Sequence, residues 1–298
     1  MQEEKAKLER KLIRAAALAV RDFDLVGEGD RIMVAVSGGK DSLTLLHVLL
    51  RLRERAPVHF DLLAVNLDQG HPGFPVEVVE DHLRAVGVPY RMIRRDTYSV
   101  VRRVVPLGKS TCAACSRFRR GVLYDAAVEL RCNKIALGHH RDDLVETLLL
   151  NAFYSGTLKA MPAKLRARDG RNVVIRPLCY ADEGDIAAFA TAMRFPVVPC
   201  GLCGSQPNLR RKRVKALLAE LSAEHPAVKG NLLSALSRVV PSHLLDRDLQ
   251  RALSATSGED PWLDEGDDLD PGSPRELPVI PGPGEASERP NSRPGREP

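Results

Sequence analysis

The sequence predicts an α/β fold: a doubly wound, mostly parallel sheet of about five strands with extra helices. Two observations predict it. Short apolar runs typical of buried strands alternate with segments of helical period, and the first run passes through two glycines directly into a helix. The chain has 298 residues, of which 44% are apolar. That composition is enough to bury one large core.

The strands and helices follow from the pattern in order. Five runs have the length and composition of strands, at residues 31–36, 60–67, 90–93, 134–137 and 172–178. Four helical patterns accompany them, at 42–55, 76–87, 116–131 and 142–153. The pattern also predicts an N-terminal helix at residues 1–26, and further helices at 183–221 that lie outside the alternation of strands and helices. Because Arg14 interrupts the first apolar stretch and no uncharged apolar run approaches membrane-spanning length, we expect a soluble, cytoplasmic protein without a signal peptide.

The two glycines lie in the hexapeptide Ser37-Gly38-Gly39-Lys40-Asp41-Ser42. Glycine permits positive φ and close backbone approach, so successive N–H groups and the helix N-terminus can converge on an anion. Lys40 can offset the charge of a phosphate, and the two serines can donate hydrogen bonds. Asp41 would repel a phosphate unless it holds magnesium or an amide. We interpret the hexapeptide as a phosphate loop that matches neither G-x-x-x-x-G-K-[ST] nor G-x-G-x-x-G, with a plain turn as the alternative.

Positive charge is concentrated in the body of the chain. Residues 257–298 carry eleven Asp and Glu but only four Lys and Arg, with nine prolines and six glycines, so we expect a disordered tail. Residues 1–256 hold the other 40 Lys and Arg and 28 Asp and Glu, a net charge of +12. Such a body favours a polyanionic partner, although any single basic cluster can be a solvated helix face.

Cysteine spacing indicates a metal centre. Four of the six cysteines form two C-x-x-C pairs, Cys112 with Cys115 and Cys200 with Cys203. In a reducing compartment this spacing favours metal or redox chemistry over disulfides. Cys112 and Cys115 come just before a predicted helix and can both face one metal, but spacing alone leaves zinc and iron open. Cys132 and Cys179 match no motif and are interpreted as core residues.

Polar residues also follow two other predicted strands. Residues 138–143, Gly-His-His-Arg-Asp-Asp, end the fourth strand, where ligands collect in open α/β sheets. Asp142 or Asp143 can hold magnesium together with Asp41 or position a substrate oxygen, and we favour Asp142. A helix N-cap is the alternative for each, and the two histidines can simply pack against the loop. The end of the second strand offers two candidates for contact with a nucleoside or a metal, Asn66 and Asp68.

These features together resemble a known family. S-G-G-K-D-S after a first strand is similar to the PP-loop of ATP pyrophosphatases. Four further stretches resemble the tRNA 2-thiocytidine synthetase (TtcA) family: TCAACSRFRRGVLY (111–124), LGHHRDDLVETLLLNAFYSGTLKAMP (137–162), VIRPL (174–178) and VPCGLCGSQPNLRR (198–211). The resemblance runs from about residue 10 to residue 245 and closes with VVPSHL at 239–244. It implies a Rossmann-like PP-loop domain at 27–245 and leaves the tail outside.

The resemblance implies a reaction and its cofactors. ATP, with Mg²⁺, adenylates the C2 oxygen of the cytidine at tRNA position 32, sulfur replaces that oxygen, and AMP leaves. The sulfur is implied to reside on a [4Fe-4S] cluster that three cysteines bind, and a cysteine desulfurase is implied as its donor. By alignment with this family the ligands are Cys112, Cys115 and Cys203, with Cys200 as the alternative to Cys203. A homodimer is also implied.

A tRNA must reach the same pocket with its target base turned out of the loop. Basic residues flank both cysteine pairs, and we expect them to bind RNA: Arg117, Arg119, Arg120, Arg210, Arg211, Lys212 and Arg213. The chain has one Trp, which lies in the tail, so aromatic side chains for base stacking are scarce. We expect arginine planes to take that role.

Two other functions fit part of the pattern. A lysidine-synthetase type of enzyme shares the PP-loop and the basic surface but has no need of the cysteine pairs. A non-catalytic, zinc-stabilised RNA-binding protein would use the loop only structurally. Activity that survives Cys112→Ala would favour the first, and ATP-pyrophosphate exchange that depends on Lys40 and Asp41 would exclude the second.

Overall fold

The computed structural model describes residues 2–106, 111–167, 170–198 and 209–257, without the side chains of Cys112, Ala113 and residues 253–257. Cys200, Cys203 and nearly all of the predicted acidic tail therefore lie outside the described residues. The chain divides into two compact units, Met1–Val239 and Val240–Pro298. In the described part of the chain, no helix combines the length and apolar character that crossing a membrane requires.

The first unit contains the sheet and the helices around it. In chain order its elements are α1 (Gln2–Asp22), β1 (Asp30–Ala35), α2 (Lys40–Arg53), β2 (Phe60–Asp68), α3 (Val76–Val86), β3 (Tyr90–Arg94), α4 (Thr97–Val104), α5 (Cys112–Glu129), β4 (Lys134–Ala136), α6 (Arg141–Ser155), β5 (Lys164–Arg166), β6 (Val173–Ile175), α7 (Glu183–Ala192), α8 (Leu209–Glu224) and α9 (Val228–Ala235). In the second unit, the described residues form a 3-10 turn at Pro241–His243 and α10 at Arg247–Ser257.

The strands form one sheet in the order β3-β2-β1-β4-β6-β5. Every pairing is parallel except that of β5 with β6, so the prediction of a mostly parallel sheet is confirmed. In β1, Ile32 and Val34 face a core shared with α1, α2 and α7, whereas Met33 faces the opposite side with Leu123 of α5. Because side chains alternate along a strand, β1 is covered by helices on both faces, as a doubly wound sheet requires.

Several boundaries differ from the predictions. The strand predicted at 172–178 ends at Ile175, because the chain then enters a turn in which the N–H of Cys179 donates to the carbonyl of Arg176 (3.1 Å). Strand β5 and helix α4 were not predicted. Helix α5 begins at Cys112 and not at residue 116, so Cys112 and Cys115 lie on its first turn. Residues three apart share one helix face, and this geometry still allows both to face one centre.

Candidate functional site

The strand order reverses between β1 and β4, and the segments that follow these strands meet there. Such a reversal opens a crevice at the carboxyl ends of the strands. Gly138, after β4, lies against the first turn of α2: a Cβ on Gly138 would be 3.0 Å from the carbonyl carbon and oxygen of Asp41. Only a residue without a side chain permits this approach. The structure thus brings the predicted phosphate loop and the 138–143 segment together.

The loop after β1 is shaped by Gly38. Its φ is +84°, and a Cβ there would be 2.9 Å from Val198 Cγ2 and 3.0 Å from Val79 Cγ2. Ser42 holds the loop closed, because its Oγ accepts from the N–H of Ser37 (3.1 Å) and donates to the carbonyl of Gly39 (2.9 Å). Gly39 is the N-cap of α2 and offers no side chain to the first N–H groups of the helix. Those N–H groups suit an anion.

Lys40 lies between two carboxylates at this N-terminus. Its Nζ is 2.7 Å from Asp41 Oδ1 and 3.4 Å from Glu183 Oε1, and Glu183 also accepts from Lys215 (2.7 Å). Partial burial lowers the pKa of Lys40, but the two carboxylates outweigh burial and raise it. Lys40 is therefore a permanent cation beside the loop. Glu183, the first residue of α7, was missed because only the tertiary fold brings it here.

The two aspartates of α6 have different surroundings. Asp142 is buried, and its carboxylate accepts from Lys229 Nζ (2.6 Å) and from the N–H of Glu183 (2.9 Å). Burial would raise the pKa of Asp142, but these hydrogen bonds outweigh it and lower the pKa. Asp143 is more exposed and accepts from the N–H of His140 (3.3 Å), the N-cap residue of α6. Asp142 is thus engaged inside the protein, and this geometry favours Asp143 for contact with a substrate.

His140 links the two halves of the site. Its Nε2 is 3.7 Å from Asp41 Oδ1 and 3.5 Å from Asp143 Oδ2, and its side chain is buried. Among the described residues, no group of three or more His, Cys, Asp or Glu side chains is arranged to hold a metal ion. A divalent cation here would need oxygen ligands from a bound phosphate in addition to one or two carboxylates, which is the usual arrangement for magnesium.

The predicted residues at the end of β2 have local partners. Asn66 is fully buried, and its Nδ2 donates to the carbonyl of Val36 (2.8 Å) at the start of the loop. Asp68 accepts from the N–H of Gly70 (2.8 Å), and its other oxygen is 3.6 Å from Arg94 Nε. Both residues shape the carboxyl edge of the sheet. The Oδ1 atom of Asn66 is buried and has no hydrogen-bond partner among the described residues.

Cys115 lies at the same edge of the sheet. Its Sγ is 3.2 Å from Gln69 Oε1, which also accepts from Thr97 Oγ1 (3.3 Å). Gln69 follows the last residue of β2, so the cysteine contacts the carboxyl end of the strand next to β1. No motif in the sequence points to Gln69. By contrast, Cys132 and Cys179 are buried in the core as predicted, and burial raises the pKa of Cys179 to about 12.

Residues 199–208, which include Cys200 and Cys203, lie between two described residues that touch the site. Before them, the N–H of Val198 donates to the carbonyl of Gly38 (2.9 Å). After them, Arg211 donates to Glu146 (2.8 Å) and to Asp143 (3.4 Å). The chain therefore leaves the phosphate loop before the second cysteine pair and returns to the start of α6 after it.

A buried arginine, Arg176, affects the protonation of His139. Arg176, after β6, is 8% exposed and donates to the carbonyl of Pro162 (2.6 Å). Burial, and then the nearby charge of Arg176, lowers the pKa of His139 to about 4. His139 is therefore a neutral imidazole at neutral pH. The apolar pattern predicts Arg176 inside a strand and does not indicate this role.

The predicted RNA-binding residues fall into two groups. Arg117, Arg119 and Arg120 are exposed on α5 after Cys115, and the charge of Arg119 contributes to the low pKa of His139. On α8, Arg210, Lys212 and Arg213 are exposed, whereas Arg211 is partly buried in its ion pairs with Glu146 and Asp143. Arg211 thus positions site residues, and its neighbours are available to a polyanion.

The chain is similar to known proteins over most of its length. Residues 7–198 match the family model described as a PP-loop domain. The chain is 79% identical over 262 residues to a tRNA-cytidine(32) 2-sulfurtransferase of Anaeromyxobacter sp. (strain K), covering 88% of this chain and 90% of that protein. It is 53% identical over 270 residues to the enzyme of that name from Burkholderia cenocepacia, covering 90% and 82%. Among solved structures, the fold is similar to U34-tRNA thiolase NcsA from Methanococcus maripaludis with its [4Fe-4S] cluster, with a TM-score of 0.63, 20% identity and coverage of 86% and 82%.

Proposed function

Because the chain belongs to the PP-loop family and, within it, to the tRNA-cytidine(32) 2-sulfurtransferases, we propose that it converts cytidine 32 of tRNA to 2-thiocytidine at the expense of ATP. One observation carries the proposal: a glycine loop shaped for an anion and a half-buried cysteine lie at the same edge of one sheet. Since the substrate is tRNA, we place the reaction in the cytoplasm.

The loop residues fit the phosphates of ATP. Gly38 has a left-handed backbone conformation, and Val198 and Val79 fill the position that a Cβ would take there. The first N–H groups of α2 have no side-chain cap. Lys40 exchanges its contact with Asp41 for a phosphate oxygen. Asp41 then holds Mg²⁺ together with the phosphates, because magnesium is commonly bound by one or two carboxylates plus substrate oxygens. Ser37 and Ser42 keep the loop in this conformation.

Adenylation makes the cytidine oxygen a good leaving group. The C2 oxygen attacks the α-phosphorus of ATP, the bond to the β-phosphate oxygen breaks, and pyrophosphate leaves. Positive charge develops on the pyrimidine ring as the new bond forms. The carboxylate of Asp143 lies at the start of α6 to stabilise that charge, and neutral His139 avoids opposing it. Asp142 stabilises the structure around the site and does not contact the substrate, since its carboxylate accepts hydrogen bonds from Lys229 and from the backbone of Glu183.

The cysteines fit an iron–sulfur cluster. Cys115 is half-buried at the crevice, Cys112 begins the same helical turn, and residues 199–208 are attached to the site at both flanks. We assign Cys112, Cys115 and Cys203 as ligands, with Cys200 as the alternative to Cys203. When bound by three cysteines, a [4Fe-4S] cluster supplies an open iron position for the sulfide that replaces the activated oxygen. A cysteine desulfurase supplies this sulfur, and we expect the chain to act as a homodimer.

The exposed arginines beside the two cysteine pairs bind the RNA. Arg117, Arg119 and Arg120 follow Cys115 on α5, and Arg210, Lys212 and Arg213 lie at the start of α8. Phosphate contacts from such residues position a nucleic acid without reading its sequence. The target base then enters the crevice turned out of its loop.

The first test is iron, zinc and acid-labile sulfide per chain after strictly anaerobic purification, on the parent protein and on Cys203→Ala and Cys200→Ala separately. We expect [4Fe-4S] that is lost in Cys203→Ala and kept in Cys200→Ala. Cys132→Ala is the matched control, since this cysteine is buried in the core. Zinc without sulfide, lost in either variant, would overturn the proposed sulfur chemistry.

A second test addresses adenylation. In the presence of tRNA, ATP-pyrophosphate exchange should require Lys40 and Asp41 and should be lost in Lys40→Ala and Asp41→Asn. Exchange that both variants retain would remove the loop from the reaction. If pyrophosphate exchange occurs and the modified tRNA still forms when the cysteines of the two pairs are replaced, the chain is an enzyme of the lysidine-synthetase type.

A further inference from the structure

Two aromatic side chains are exposed at the end of α6, although the sequence offers few for contact with RNA. Phe153 is 56% exposed and Tyr154 is 41% exposed, and their ring centroids are 6.5 Å apart in an edge-to-face arrangement. The helix ends directly after them at Gly156, which has the left-handed φ of +61° typical of a C-cap. Phe153 and Tyr154 are therefore presented at a helix end.

A basic residue is held against this pair. The guanidinium carbon of Arg210 lies 5.0 Å from the centroid of the Tyr154 ring, within the range of a cation–π contact. Lys159 is also exposed, and its carbonyl accepts from Asn151 Nδ2 (2.7 Å), which folds the following loop back onto the helix end. The aromatic surface is thus bordered by positive charge, which suits a polyanion with flat apolar groups.

The surface is connected to the candidate site through α8. Arg210 contacts Tyr154, and the next residue, Arg211, contacts Asp143 and Glu146. Asp143 and Tyr154 lie on the same helix, about 16 Å apart along its axis at 1.5 Å per residue. That length corresponds to about five nucleotides of a stacked strand at 3.4 Å each. An RNA loop with one base in the crevice can therefore reach the aromatic pair.

We propose that Phe153, Tyr154 and Arg210 form a stacking platform for a single-stranded RNA loop, which adds two aromatic side chains to the basic residues already assigned. Phe153 stacks on an unpaired base, and Tyr154 orients Arg210 towards a phosphate. Aromatic rings stack on any base, and arginine carries the electrostatic contribution. The proposal rests on the proposed function, because it assumes that the substrate is the loop of a tRNA.

The test is the affinity of the full chain for a labelled hairpin RNA with the anticodon-arm sequence, measured by fluorescence anisotropy over a series of salt concentrations. A blunt duplex with the same stem is the competitor. We expect Phe153→Ala to weaken hairpin binding about tenfold, within the range for loss of one stacked base, with an unchanged salt slope. Phe153→Trp should restore affinity. Arg210→Ala should both weaken binding and reduce the slope by about 0.7, the value for one single-strand phosphate contact.

The controls separate the possible outcomes. Phe23→Ala removes an aromatic side chain of comparable exposure (39%) on the segment that leads into β1, and should leave hairpin affinity unchanged. Equal hairpin affinity of Phe153→Ala and the parent would overturn the platform while leaving the proposed function intact. Dissociation of a dimer by Phe153→Ala without loss of hairpin affinity would also overturn it and would identify a contact between two copies. Failure of the parent protein to prefer the hairpin over the duplex would overturn the proposed function together with the platform.

Discussion

Replacement of Gly38 by alanine tests whether the phosphate loop depends on its left-handed backbone and on the packing around it. At φ +84°, an L-residue costs about 1–2 kcal/mol. The new Cβ would also lie 2.9 Å from Val198 Cγ2 and 3.0 Å from Val79 Cγ2, and both valines are buried. Overpacking of this kind adds about 1–3 kcal/mol. We therefore expect Gly38→Ala to reduce the free energy of unfolding by about 2–5 kcal/mol, taking both costs together.

Two other glycines separate these contributions. Gly29 has φ +73°, and no atom lies within 4 Å of the position that a Cβ would take there, so Gly29→Ala incurs only the backbone cost. Gly39→Ala has neither problem, since its φ is −77° and the nearest atom, Ser37 Oγ, is 3.5 Å away. Val198→Ala combined with Gly38→Ala should recover part of the packing loss. Urea unfolding gives the stabilities, and isothermal titration calorimetry gives the affinity for ATP.

The decisive result is the order of the three alanine variants in stability and in affinity for ATP. Gly38→Ala should be the least stable of the three alanine variants and should lose ATP binding, whereas Gly29→Ala and Gly39→Ala keep it. If Gly38→Ala unfolds at the same urea concentration as Gly29→Ala and binds ATP as the parent does, the packing argument is wrong.

Three further predictions concern the site. Asp142→Ala removes a buried carboxylate and leaves the partly buried Lys229 without its partner, so the free energy of unfolding in urea should fall by about 3–5 kcal/mol. Asp143→Asn should keep the stability of the parent and lose tRNA-dependent pyrophosphate exchange. The opposite result for the two variants would exchange the roles assigned to Asp142 and Asp143. His139 has its pKa lowered from 6.5 to about 4, so the unfolded chain binds its proton first, and stability should fall as pH decreases from 6.5 towards 4; a His139→Gln variant with the same pH profile would contradict this assignment. Lys212→Ala with Arg213→Ala should reduce the salt slope of tRNA binding by about 1.4, two single-strand phosphate contacts, and an unchanged slope would exclude both residues.

Much of the fold could be predicted because its central strands are buried on both faces. Such strands read as short apolar runs, and β1, β2 and β4 were all located in this way. Strand β5 has three exposed residues and no apolar pattern, so only its pairing with β6 identifies it. Helix α4 begins with Thr-Tyr-Ser-Val-Val, which favours a strand, but Asp96 caps it by accepting from the N–H of Ser99 (2.9 Å).

The site was predicted where it is local and missed where it is assembled by the fold. The hexapeptide at 37–42 contains its own turn and helix start, so this local backbone geometry could be predicted from the sequence. The partners of the site's polar groups come from distant segments: Glu183 from the start of α7, Lys229 from α9 and Gln69 from the end of β2. No spacing rule connects such residues, since their proximity depends on how helices pack against the sheet.

The close contact of Gly38 with Val79 and Val198 has a consequence for protein engineering. The glycine has no room for a methyl group because α3 and the segment before residue 199 pack against it, and the same segment donates a hydrogen bond to its carbonyl. The unit that must be transferred to move this loop into another scaffold is therefore not a hexapeptide. It consists of three separate segments: the loop, α3 with Val79, and the segment that ends at Val198. A graft that carries the loop alone would lose its conformation, because the side chains of the recipient would not match those of Val79 and Val198.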